Sequence, residues 1–139
     1  MRVYIPATWS DLATDLLNPS ALYAVTDELT ASFDDEELAE LYAFQRASEQ
    51  SVTLVDASDS RPRRVVIAVE INAVGNALGD DPACFAADGP IMWSDAVSIH
   101  VDDVDRDIAG ALASEEALAE LTREPLAWFD VTERDALTD

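Results

Sequence analysis

His100 is the single histidine of the chain and heads its densest carboxylate run, His100-Val101-Asp102-Asp103-Val104-Asp105-Arg106-Asp107. Imidazole changes charge near neutral pH, and an adjacent carboxylate can fix its tautomer. His100 is therefore a candidate general base, oriented by Asp102 on the same strand face or by Asp130 brought in by the fold. As mixed metal ligands these residues fit poorly, because on a strand Asp103 points away from His100 and Asp102. The spacing also lacks the glycine and the closing glutamate of a calcium loop. No metal site is expected.

Other chemistries are narrowed by composition. All eight basic residues are arginine, which removes a phosphate-loop lysine, a Schiff-base lysine and an ammonium base. The lone Cys84 allows neither an intrachain disulfide nor a multi-thiolate site, and reads as a small buried hydrophobe. Gly75-Asn76-Ala77-Leu78-Gly79 has the pattern of neither a phosphate cradle nor a dinucleotide fingerprint, so no cofactor is expected. Arg61, Arg63 and Arg64 form the one basic cluster and are anion-binding candidates, in competition with pairing to the chain's own carboxylates.

Around these residues the pattern implies a regular scaffold. Val97, Ile99 and Val101 alternate with Ser98 and His100, as in a strand with one apolar face. Asp102 or Asp103 then suits the cap of a helix carrying Val104, Ile108 and Leu112. Arg2–Ile5 reads as a first strand closed by Pro6, Thr8 and Asp11 as a capping box before a short helix with Leu12 and Leu16, and Leu22–Val25 as a second strand. Thr26 caps a turn through Leu29 to Phe33. Asp34, Asp35, Glu36 and Glu37 fill the first turn of a longer helix to about Ser48 or Ser51, with Leu38, Leu41, Tyr42 and Gln45 on one stripe.

Val65–Val69 is apolar and β-branched throughout, as in a central strand covered on both faces. Residues 72–93, rich in glycine and proline, read as a long loop that faces a partner or moves. Ser114 caps another helix with Leu118 and Leu121, 126–132 reads as a last strand, and the acidic tail from Glu133 is expected to fray. The expected architecture is a single α/β domain over 1–139, a mixed sheet of about five strands flanked by helices, with a two-layer α+β sandwich as the alternative.

Several matching stretches carry a resemblance: Met1-Arg2-Val3-Tyr4-Ile5-Pro6-Ala7-Thr8, Arg63-Arg64-Val65-Val66-Ile67-Ala68, Ser98-Ile99-His100-Val101-Asp102-Asp103 and Leu126-Ala127-Trp128-Phe129. Through them the chain resembles a family of small uncharacterised actinobacterial proteins, classed as a domain of unknown function. The resemblance implies an actinobacterial, cytoplasmic protein and brings no catalytic or binding residues with it.

A net charge of -21 repels nucleic-acid phosphate and favours solubility, so no direct nucleic-acid binding is expected. No run is long and apolar enough for a membrane span. The expectation is a non-enzymatic, acidic interaction or regulatory protein docking onto a protein partner, a basic one being the kind its charge would attract. Trp9, Trp93 and Trp128 are its candidate anchors, and Asp34, Asp35, Glu36, Glu37, Asp103, Asp105 and Asp107 its partner-facing acids. The alternatives are a small, hydrolase-like enzyme based on His100 and a nucleic-acid mimic whose acids form one stripe. Homodimerisation through an edge strand is compatible with each.

Overall fold

Alternation of apolar residues builds the scaffold from its first strand. In β1 (Arg2–Ala7) Val3, Ile5 and Ala7 enter one core and Tyr4 the opposite one. The same division recurs in β4 (Val65–Glu70), where Val65, Ile67 and Val69 face the first core while Val66 and Ala68 face the second. The computed structural model describes residues 1–138.

Between these strands lie β2 (Leu16–Leu17), β3 (Leu22–Ala24), helix α1 (Asp27–Phe33) and helix α2 (Glu36–Leu54). After β4 come β5 (Cys84–Phe85), β6 (Ile91–Met92) and β7 (Ala96–Val101), then α3 (Ile108–Ala111), α4 (Glu115–Arg123), β8 (Ala127–Asp130) and α5 (Arg134–Thr138). Six strands form one sheet in the order β5-β3-β1-β4-β7-β8, and β2 pairs with β6 in a small second sheet. Helices α1 and α2 cover one face through Leu29, Ala39, Ala43 and Ala47. The other face is closed by Trp9, Leu12, Leu17 and Ile91 from short 3-10 turns and the small sheet.

The expected α/β domain is present, with Val65–Val69 interior and fully buried. Every pairing in its sheet is antiparallel, where a mixed sheet was expected. For β1 and β3 the connection gives the reason: it holds a 3-10 turn at Trp9–Ala13 and the two residues of β2, too little for a crossover helix. Leu16 accordingly lies on a strand and not on a helix with Leu12. Pro6 does not close β1, because β3 pairs only with Val3 and Tyr4, and beyond Tyr4 that side has no ladder to interrupt.

Three further expectations are corrected. On α2 the buried stripe is Ala39, Ala43 and Ala47, whereas Leu38 and Leu41 are exposed. Val104 and Leu112 are exposed too, and the cap of α3 is Asp107, whose carboxylate accepts from the Gly110 N–H at 3.0 Å. The C-terminal segment docks as α5, its Arg134 donating to the carbonyls of Leu12 and Thr14 at 3.0 Å and stacking on Trp93.

Residues 72–93 are held more firmly than a free loop. They contain β5 and β6 and fold back on themselves through a bridge between Ala77 and Phe85. Gly75 is needed at this fold, since its N–H reaches the Ala86 carbonyl at 2.7 Å and a Cβ there would stand 3.0 Å from the same oxygen.

Candidate functional site

β4 begins beside the end of β7. Arg64 and Asp102 meet there with neither side chain exposed. The Arg64 Nη2 donates to Asp102 Oδ1 at 2.7 Å and its Nε to Oδ2 at 3.0 Å, a two-point ion pair; the Arg64 backbone N–H adds a bond to Oδ2 at 2.8 Å. Two further donors of Arg64 go to Ser48 Oγ of α2 and to the Glu124 carbonyl after α4, both at 3.0 Å. Arg106 closes the network, with Nε on Asp102 Oδ1 at 3.1 Å and Nη1 on Glu124 Oε2 at 2.8 Å. One buried carboxylate thus ties two strands to two helices.

The basic cluster is therefore spent internally. Arg63 pairs with Asp105 at 2.8 Å and lies over the ring of the buried Trp9, and Arg61 reaches Asp105 at 3.8 Å. Arg61, Arg63 and Arg64 present no shared fork to an external anion. The acids expected to face a partner divide in the same manner. Asp35 caps α2 through the Glu37 and Leu38 N–H groups, Asp105 holds Arg63 and Asp107 caps α3. Asp34 is the left-handed residue ending α1, and with Glu36, Glu37 and Asp103 it is exposed.

The acids lie in two groups, Asp34–Glu37 at the start of α2 and the run from Asp102, whose partner Arg64 donates to Ser48 about 18 Å further along that helix at 1.5 Å per residue.

His100 is half-buried on the helix-covered face. Its Nε2 shares a hydrogen bond with Ser98 Oγ at 2.9 Å, and its ring meets Phe44 edge-on with centroids 5.0 Å apart. Neither expected carboxylate orients it: Asp102 is held by Arg64 and Arg106, and Asp130 accepts from Thr132 in the turn after β8. Burial, with a smaller push from the positive Arg2, lowers the His100 pKa to about 4. It stays neutral at pH 7.

A stability consequence follows. The unfolded chain takes up this proton near the ordinary value of 6.5, before the folded chain does, so stability falls as pH drops from about 6.5 towards 4. Allowing for the imidazole's partial solvent contact, the contribution lost is on the order of 2 kcal/mol. His100→Gln is expected to lose less stability than the parent between pH 7 and pH 4.5 by about that amount. Urea unfolding at the two pH values checks it, and parallel losses in both proteins would contradict it.

Among the tryptophans, Trp9 is buried, and Trp93 donates its Nε1–H to the Thr14 carbonyl at 2.8 Å. Trp128 alone stands out, 61% exposed on β8 opposite His100.

One polar centre was not legible. Asp81 accepts from the Tyr42 hydroxyl at 3.0 Å, Arg46 Nε at 2.7 Å and the Ala83 N–H at 3.0 Å, which fastens the 72–93 segment to α2. Burial alone would raise its pKa, but these bonds hold it below the ordinary carboxylate range. Asp80-Asp81-Pro82 signals a turn in sequence, not the partners of its carboxylate. Beside it Cys84 pairs across strands with Tyr23, and burial raises the thiol pKa, so Cys84 is a packed thiol and not an activated nucleophile.

Among the described residues no three or more His, Cys, Asp or Glu side chains are grouped so as to hold a metal ion. Among the same residues no helix is long and apolar enough to cross a membrane.

The chain is an α/β protein whose six-stranded antiparallel sheet, with a small second sheet, is backed by helices and braced by internal ion pairs. Residues 1–138 match the family of unknown function (DUF6912), and the chain belongs to it. Neither a curated protein nor a solved structure matches the chain.

Proposed function

We propose that this is a non-enzymatic, cytoplasmic interaction or regulatory protein that docks onto a basic protein partner. The observation that carries this reading is the fate of the positive charge. Six of the eight arginines, Arg2, Arg46, Arg61, Arg63, Arg64 and Arg106, pair with carboxylates of the chain itself. The excess carboxylates are left on the outside, where they draw a cationic surface in and repel a second acidic one. The enzyme alternative keeps His100 without an orienting carboxylate, and the mimic alternative needs one stripe from two acidic groups set apart along α2.

The test is capture of the tagged protein's partners from the lysate of its source, at low and high salt, read by mass spectrometry. Basic proteins enriched at low salt and diminished at high salt are expected, because screening weakens exposed charge attraction. Enrichment of no basic protein at low salt would overturn the reading.

A further inference from the structure

The two edges of the main sheet are treated differently. At one end β5 is covered by the chain itself: Leu78 donates its N–H to the Cys84 carbonyl at 3.0 Å, Ala86 donates to the Asn76 carbonyl at 2.8 Å, and Ala77 bridges Phe85. At the other end β8 pairs with β7 alone, and among the described residues no backbone hydrogen bond reaches its outer side. Natural sheets ordinarily blunt or cover such an edge. This one instead carries Trp128, the most exposed of the large apolar side chains.

The direction of the free groups can be read from the capping bond at the end of β8. The Asp130 N–H donates to Glu133 Oε2 at 2.8 Å and not to β7. Alternate residues of a strand turn their N–H and C=O to the same side, so Trp128 directs its donor and acceptor outward from β7. On the helix-covered face its indole stands across from His100, which Phe44 covers from α2. A backbone ladder site and an aromatic platform therefore coincide at one residue. Asp130 ends the same strand, and Glu133 accepts from its N–H.

We propose that the open edge of β8 accepts an extended, basic segment of a partner protein as a seventh strand, anchored over Trp128. This rests on the basic-partner reading and names the surface it uses. Strand addition draws affinity from main-chain bonds and specificity from alternate side chains, here apolar ones over Trp128 beside arginines or lysines near Asp130 and Glu133. A second copy is disfavoured as the occupant, since each chain brings a net charge of -21 to the contact.

The probe is a synthetic ten-residue peptide of alternating arginine and valine, set against the same peptide with every second amide N-methylated to prevent ladder pairing. Binding is followed at moderate salt by tryptophan emission and by hydrogen exchange of the Trp128 amide. The plain peptide is expected to shift the emission, protect that amide and bind at least ten-fold more tightly than the methylated one. Trp128→Ala, checked for a retained circular dichroism spectrum, is expected to weaken it at least ten-fold. Equal binding of both peptides with the Trp128 amide unprotected would overturn the edge site while leaving the basic-partner reading standing. Failure of both peptides to bind even at low salt, together with an empty capture, would overturn both. A sedimenting dimer whose Trp128 amide is protected without peptide would assign the edge to a second copy and overturn the proposal.

Discussion

Replacing Asp102 with alanine is expected to cost about 3–5 kcal/mol of folding stability, because it leaves the Arg64 guanidinium buried without a counter-charge. Arg64 has no exposed surface, so water cannot take over the lost partner. The Arg64 backbone N–H loses its acceptor as well, and the grip of Arg106 on the same carboxylate goes with it. A domain of this size should then melt roughly 10–20 °C lower, read from the circular dichroism transition. Arg64→Met combined with Asp102→Leu is expected to fall between the parent and Asp102→Ala, because burying two apolar chains removes the stranded charge, although Ser48 and the Glu124 carbonyl still lose a donor. Arg106→Ala, acting on a partly exposed pair, should cost only about 1 kcal/mol. An Asp102→Ala protein as stable as the parent would show that the network does not brace the junction of β4, β7, α2 and α4.

The same network shows what a sequence can and cannot disclose. Local rules place the strands at 65–69 and 97–101 and the caps Thr26 and Ser114, whose side chains accept from Leu29 and Ala117 as their spacing requires. They also marked pairing with the chain's own acids as the competitor to anion binding at Arg61, Arg63 and Arg64. What they could not supply is which carboxylate meets which arginine, since Arg64 and Asp102 are 38 residues apart and are joined only when β4 and β7 pair. Asp102 or Asp103 suits a cap by standing between a strand and a helix, yet burial diverts Asp102 to Arg64, and Asp107 takes the cap. Asp81 was missed for a related reason, as its partners Tyr42 and Arg46 lie on a distant helix.

Exchanging Ala43 for leucine is expected to destabilise the fold by about 3 kcal/mol, the upper part of the range for overpacking a filled core. Ala39, Ala43 and Ala47 recur every fourth residue on α2 with zero exposure, and their small side chains let the helix lie close against Tyr4, Val66 and Ala68 of the sheet. A leucine at the middle of that stripe has nowhere to go but into β1 and β4. Leu38→Ser and Leu41→Ser, by contrast, should change stability by no more than about 0.5 kcal/mol, since both positions are about half exposed. Urea denaturation of the three variants decides the matter, and a larger loss for Leu41→Ser than for Ala43→Leu would reverse the orientation of α2. The contrast explains why a stripe chosen by residue size misled: periodicity finds a face only when the larger apolar residues are the buried ones. Where a helix must approach a sheet closely, alanine takes the core positions and the leucines are left on the outer surface.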